Sequence, residues 1–239
     1  MMPDAETLYD VIEGTWPCAR TVPSGPFVLR DGRGGGKRVS AATASHPNWS
    51  DDDIQSAAQG MATLNQTPLF MLRDGEMRLD AALEKQGYQV IDPVNMFCVP
   101  IGDLARNTPP RVSTFAIWPS LEIGHEIWRE GGIGPGRLAV MARVKGRKTT
   151  ILGRSNDRAA GVAFVAIHDG IAMLHALEVA PTQRRQGVAE RIMAAAAIWG
   201  QENGASHLSV VCTRANDAAN ALYFKLGMTH IGGYHYRIK

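Results

Sequence analysis

The stretch Leu177-Glu178-Val179-Ala180-Pro181-Thr182-Gln183-Arg184-Arg185-Gln186-Gly187-Val188-Ala189 joins a β-type run to a helix through a basic, glycine-containing turn. Three sources of positive potential converge there: the turn's backbone N–H groups, the free donors of the first helical turn and the positive end of the helix dipole. Gly187 lets the backbone approach an anion closely, and Arg184 and Arg185 add charge-assisted hydrogen bonds. The stretch therefore predicts a phosphate site.

Working outward from it, the chain shows a regular order from Arg111 onward. A strand is expected at Val112 to Trp118, then a short helix at Ser120 to Glu130 capped by Ser120 and stopped by Gly131-Gly132. Three apolar runs follow, Arg137 to Arg143, Ala160 to His168 and Ile171 to Val179, and Asp169-Gly170 between the last two is a hairpin signal. A helix from Val188 to about Gln201, a strand at His207 to Cys212, a helix at Asn216 to Leu226 and a closing strand at Met228 to Ile238 complete a β-α-β-β-β-α-β-α-β order.

The first hundred residues give a weaker version of the end of this order. Helices are predicted at Ala5 to Glu13, Asp51 to Leu64 and Met77 to Gln86, and strands at Phe27 to Arg30, Arg38 to Ala44, Leu69 to Arg73 and Tyr88 to Val99. Gly87 and Gly227 differ by 140 positions and Leu69 and Leu208 by 139, offsets that point to duplication. Pro100 to Pro110 lacks apolar periodicity and reads as a linker, so the expected division is a unit at 1–100, a linker at 101–110 and a second unit at 111–239. Asp31-Gly32-Arg33-Gly34-Gly35-Gly36-Lys37-Arg38 has the look of a phosphate loop. It lacks the Ser or Thr after Lys37 and a following helix, so a flexible loop between strands is the better reading.

Bulk composition narrows the function. The 239 residues carry 25 basic and 23 acidic side chains, a net charge of +2, which gives no footprint for nucleic acid or an anionic membrane surface. The longest apolar run, Ile192 to Trp199, is too short to span a bilayer. Asp4, Glu6 and Asp10 stand where a signal peptide would be basic and then apolar, so a cytoplasmic protein is expected. The 3 cysteines and 7 histidines are scattered without ligand spacing. Buried reduced thiols and no metal are the expectation.

From Val112 to Lys239 the chain resembles the GNAT superfamily of acyl-CoA-dependent N-acyltransferases. The likeness rests on Arg184-x-x-Gly187-x-Ala189, on the preceding Leu177-x-Val179-x-Pro181, and on Asn216 followed by Ala221-Leu222-Tyr223-Phe224-Lys225-Leu226-Gly227-Met228. Ala189 and Met228 stand where the family more often has Gly and Phe. The resemblance implies an α/β fold of tandem GNAT-like units, each a mostly antiparallel twisted sheet flanked by helices, with the first unit degenerate. Asp51, Asp52 and Asp53 there would repel a diphosphate and suit a solvated helix start.

The resemblance also implies acetyl-CoA as co-substrate and direct attack by a primary amine of a small molecule or peptide. Coenzyme contacts fall on Leu177, Val179, Arg184, Arg185, Gln186, Gly187, Val188, Ala189, Asn216 and Tyr223, the pantetheine lying along Leu177 to Val179 where neighbouring strands splay. A backbone N–H near Leu177 is the natural oxyanion donor. Tyr223 is the candidate general acid, and Asn216 suits both coenzyme binding and an N-cap. For the general base three readings stand: His175, which needs a β-bulge to leave the face of Leu177 and Val179, Glu178, or a water chain. Trp118, Trp128, Tyr234, His235 and Tyr236 are candidates for an acceptor pocket or for core, with the first unit walling one side of the cleft. A non-catalytic acyl-CoA-binding protein is the alternative function, and a purely structural protein a third.

Overall fold

A computed structural model describes all 239 residues. The first half contains α1 (Ala5–Thr15), β1 (Arg20–Ser24), β2 (Phe27–Asp31), β3 (Thr43–Ala44), α2 (Asp51–Thr63), β4 (Leu69–Arg73), α3 (Met77–Lys85), β5 (Gln89–Pro100) and α4 (Ile101–Ala105). The second contains β6 (Thr114–Ile117), α5 (Glu122–Glu130), α6 (Pro135–Arg143), β7 (Lys148–Ser155), β8 (Arg158–His168), β9 (Ile171–Val179), α7 (Val188–Glu202), β10 (His207–Thr213), α8 (Asp217–Lys225) and β11 (Thr229–Ile238).

Eight strands form one sheet in the order β4-β11-β5-β10-β9-β8-β7-β6, and β1-β2-β3 form a small second sheet tied to β4 through an Ala42–Phe70 bridge. Every pairing in the large sheet is antiparallel except β9 with β10. The order β4-β11-β5-β10 means that the two halves trade their last strands. β11 pairs with β4 of the first half, β5 pairs with β10 of the second, and β5 and β11 pair with each other. The units related by the 139–140 offset, β4-α3-β5 and β10-α8-β11, are thereby interlocked in one continuous sheet.

Two layers cover the large sheet. On one face α7 lies across β7 to β10 with α4 beside it, burying Val188, Ile192, Met193, Ala196 and Ala197 against Ile151, Ala163, Val165 and Leu174. Gly153 permits the close approach, since a Cβ there would come 2.9 Å from Ile192. On the other face α1 and α5 pack over β8 and β9. The Asp169-Gly170 turn closes β8 onto β9 with both residues at positive φ, 46° and 73°, the pair of left-handed residues a type I′ turn requires.

Several local expectations fail for identifiable reasons. Arg137 to Arg143 is α6, not a strand: Pro135 sits in the first helical turn, and the adjacent residues Val140 and Met141 are both buried, a helical rather than alternating pattern. The missing strand is β7, whose Lys148-Thr149-Thr150 opening hides it from an apolar scan. Arg38 to Ala44 yields a 3-10 turn over Lys37–Val39 and only the two-residue β3. Ser120 does not cap α5; Leu121 holds that position and the Ser120 hydroxyl donates to the Leu121 carbonyl. In the predicted linker, α4 forms because Ile101 and Leu104 find a buried place beside α7. Of the three cysteines only Cys98 is fully buried, and all are free thiols.

Candidate active site

The β9–β10 pairing stops at Leu174–Val210. Beyond it β9 continues with β8 to Val179 while β10 continues with β5 to Thr213, so the sheet opens into a V. A cavity of about 1090 Å³ fills this opening. Within the V, β9 bulges: Val162 faces Glu178 but Phe164 faces His175, and Ala176 takes φ +52°. Leu174, Leu177 and Val179 consequently point toward α7, whereas Ala176 packs on the opposite side among the residues around Trp128. The Trp128 indole N–H donates to the Ala176 carbonyl at 2.8 Å and fixes the bulge.

At one end of the cavity the turn before α7 has Arg185 and Gly187 in left-handed backbone, φ 63° and 72°. No side chain caps the helix. The backbone N–H groups of Gly187, Val188, Ala189 and Glu190 have no acceptor in the protein, so four donors and the dipole end face one space. Arg191 braces the turn from behind by donating to the Gln186 carbonyl at 2.8 Å. Gln183, which borders the cavity, has its side-chain oxygen buried without a partner.

Of the residues expected from sequence, Leu177, Val179, Arg184, Arg185, Gly187, Val188, Ala189, Asn216, Tyr223, His175 and Glu178 all line this cavity. Gln186 does not: its side chain turns outward and accepts from Ser155 at 2.8 Å and Asn156 at 3.0 Å. Asn216 caps α8 by accepting from the Ala219 N–H at 3.1 Å. Tyr223 is buried, which pushes its phenol up from the usual value, with a smaller contribution from Cys212; no hydrogen bond holds its hydroxyl. Glu178 pairs with Arg184 at 3.3 Å.

His175 is 4 % exposed and occupied at both ring nitrogens. Arg38 approaches Nδ1 at 3.1 Å and Thr15 Oγ1 lies 2.8 Å from Nε2. An arginine only donates, so Nδ1 accepts and the ring proton sits on Nε2, donating to Thr15, whose hydroxyl in turn donates to the Val11 carbonyl at 2.6 Å. Burial first, and then the Arg38 charge, hold the imidazole well below its usual pKa, so it is neutral at neutral pH. No lone pair of this ring is left to take a proton.

At the other end of the cavity, Tyr234 and Tyr236 line it as the acceptor-pocket reading expected, but Trp16 and Arg38 were not among the expected site residues. Trp16, Gly35, Gly36, Lys37 and Arg38 come from the first half and meet Tyr234 and Tyr236 from β11. Arg38 donates to the Tyr234 hydroxyl at 3.2 Å and lies over the Trp16 ring at 5.9 Å, and Trp16 packs on His175 with ring centroids 4.9 Å apart. Trp118, Trp128 and His235 do not reach the cavity; His235 bonds Asp80 instead. The glycine-rich loop, set aside as a flexible loop between strands, brings Gly35, Gly36, Lys37 and Arg38 to this end.

The acetyltransferase (GNAT) family pattern matches residues 120–228, which contain the V, the open helix start and α8. Over their full lengths, the chain is 25% identical to the uncharacterized N-acetyltransferase YobR of Bacillus subtilis (strain 168). A GCN5-related N-acetyltransferase from Kribbella flavida superposes with a TM-score of 0.74 at 18% identity, covering 100% of this chain and 96% of that one. A tandem GNAT protein from the clavulanic acid biosynthesis pathway gives 0.61 at 12% identity, covering 83% and 74%. No helix of the protein is long and apolar enough to cross a membrane. Residues 120–228 are thus an acetyltransferase domain of the GNAT family, and the chain that carries them is an acyltransferase.

Proposed function

We propose that this chain transfers the acetyl group of acetyl-CoA to a primary amine of a small molecule or peptide by direct attack. The observation that carries the reading is the unsatisfied row of N–H groups from Gly187 to Glu190, lining a cavity that continues into the V between β9 and β10. Those donors and Arg185 suit the diphosphate. The unpaired edge of β9 along Leu177 to Val179 suits the pantetheine amides, and the orphaned Gln183 oxygen suits an amide N–H.

In this reading the amine nitrogen forms its bond to the thioester carbon, and a β9 backbone N–H near Leu177 stabilises the oxyanion. When the carbon–sulfur bond breaks, the sulfur takes the proton of Tyr223, which burial keeps protonated across the working range. Glu178, directly or through water, receives the proton lost by the amine. His175 instead orients Arg38, because both of its nitrogens are engaged. Arg184, paired with Glu178 and donating to the Val179 carbonyl, exchanges these contacts for the diphosphate when coenzyme binds, which leaves Glu178 unpaired. The first half is a GNAT-like unit without a coenzyme site, in keeping with its interlocked β4-α3-β5 and its closed α2 start.

Calorimetry with acetyl-CoA and thiol release over an amine panel test the proposal. Tyr223→Phe should lower kcat by roughly 100-fold or more while leaving coenzyme affinity within about 3-fold. Coenzyme binding without thiol release for any amine would instead mark a sensing module, and no binding would remove the reading altogether.

A further inference from the structure

The cavity lining holds six basic side chains, Lys37, Arg38, Arg137, Arg184, Arg185 and Lys225, and three carboxylates, Asp92, Glu178 and Glu190. Each carboxylate is already paired: Lys37 with Asp92 at 2.7 Å, Arg184 with Glu178 at 3.3 Å and Lys225 with Glu190 at 2.6 Å. Arg38, Arg137 and Arg185 are left without an acidic partner. Arg185 stands in the coenzyme turn. The other two stand at the far end, with the Arg137 guanidinium 3.4 Å from where a Gly36 Cβ would lie, one residue from Lys37 and two from Arg38.

Arg38 is the more telling of the pair. Its neighbours are the Tyr234 and Tyr236 phenols, the Trp16 ring and His175, and none of them carries a negative charge. Arg38 is half-buried, and a guanidinium drawn partly out of water with no counter-charge is costly, a cost that a bound anion would offset. The site is also rigid. His175 locks one side of the guanidinium and is itself locked by Thr15, while Tyr234 holds Nε, so the remaining donors have a fixed direction.

Resting on the acetyl-transfer reading above, we infer that the acceptor is an amino carboxylate: its amine enters the V while its carboxylate is held by Arg38, with Arg137 at the rim. Sequence-distant parts of the chain converge to build this end, Trp16 and Arg38 from the first half and Tyr234 from β11, which gives the first half a role in choosing the acceptor.

The test uses the full-length protein and amine pairs that differ by a carboxylate: β-alanine with ethylamine, 4-aminobutyrate with propylamine, and phenylalanine with phenethylamine. With acetyl-CoA as donor, the carboxylate member should be favoured roughly 100-fold in kcat/KM. Arg38→Gln should collapse that ratio through KM, and Arg38→Lys, which keeps the charge but not the fork, should leave a ratio of about 10. Equal use of both members by the wild type overturns the inference, even if Arg38→Gln fails to fold. So does an equal loss for both members in a folded Arg38→Gln.

Because a panel can miss the acceptor, benzoate and glutarate are also titrated into wild type saturated with coenzyme A. Binding that vanishes in Arg38→Gln is expected, and no binding to wild type overturns the inference. Succinyl-CoA in place of acetyl-CoA separates a second source of the same chemistry: if it is the only donor used, the carboxylate belongs to the acyl group and the inference falls. Coenzyme affinity is read in the same titrations. Its absence defeats acetyl transfer itself, whereas coenzyme binding without carboxylate preference defeats only this inference.

Discussion

The starts of α2 and α7 solve one physical problem in opposite ways. Both helices present orphan N–H donors and a positive dipole end. At α2 the protein closes the end with its own atoms: Ser50 Oγ accepts from the Asp53 N–H at 3.3 Å, Asp53 accepts from the Ser50 N–H at 2.8 Å, and Asp51 and Asp52 add negative charge. At α7 nothing closes it. Gly187 has no side chain to offer, Arg184 and Arg185 precede it, and the one carboxylate of the first turn, Glu190, is paired with Lys225 instead. A helix end finished by its own side chains has no capacity left for a ligand, and one left unfinished beside a cavity has all of it.

The same contrast runs through the repeated strand-helix-strand units. Tyr223 stands four residues before Gly227, and the residue four before Gly87 is Leu83, which is fully buried. A phenol at the cavity in one half corresponds to core in the other.

The comparison can be broken most severely by separating the halves. Because β11 lies between β4 and β5, chains 1–110 and 111–239 made alone would each carry a closing strand without its partners and expose long strand edges. Both should be insoluble alone and recover soluble, coenzyme-binding protein on co-expression. A soluble, monomeric 111–239 fragment with full coenzyme affinity would show that the interlock is dispensable.

Next in size, Gly187→Asp gives α7 an acidic start of the α2 kind. The new carboxylate competes for the free N–H groups and repels a diphosphate, so coenzyme affinity should fall roughly 100-fold by calorimetry. Unchanged affinity would place the diphosphate elsewhere.

A third effect tests the seam between the halves at His175. Its folded-state pKa lies well below the unfolded value near 6.5, so between the two values the unfolded chain binds a proton that the folded one refuses. Stability should be flat in this respect above about pH 6.5 and fall as pH drops below it. Melting curves from pH 7 to 5 should show that slope reduced in His175→Gln, which retains a polar side chain at the Arg38 contact. An identical slope in the variant would assign the acid sensitivity to other groups.

The smallest effect is Ser50→Ala, which opens the α2 cap. The melting temperature should drop by about 2–4 °C with coenzyme affinity unaltered. A loss of affinity would mean that the α2 start is coupled to the site after all.

Much of this was legible without coordinates because it is local. Alternation, a glycine stop or a hairpin dipeptide acts over a few residues, and β4, β9, α7 and β11 fall close to where their patterns place them. Misreadings came where a short window supports two periods, as at Leu138-Ala139-Val140, or where polar residues open a strand, as at Lys148. Tyr223, Gly187 and Asn216, which line the cavity, could be singled out because a turn and a helix start keep their residue types together in sequence. Arg38 and Trp16 were not, since their partners His175 and Tyr234 lie 137 to 196 positions away.

The sequence by itself therefore determined a strand, a basic glycine-containing turn and a helix in succession, and further on a helix stopped by Gly227, and with these the family resemblance, since each motif is local in sequence. Only the tertiary structure decided which strands the two halves trade, that β9 bulges at Ala176, and that both ring nitrogens of His175 are engaged, by Arg38 and Thr15. Period-2 patterning says which face of a strand is buried but carries no address for its neighbour. Pairing, and everything built across it, is settled by the competition of whole surfaces for burial.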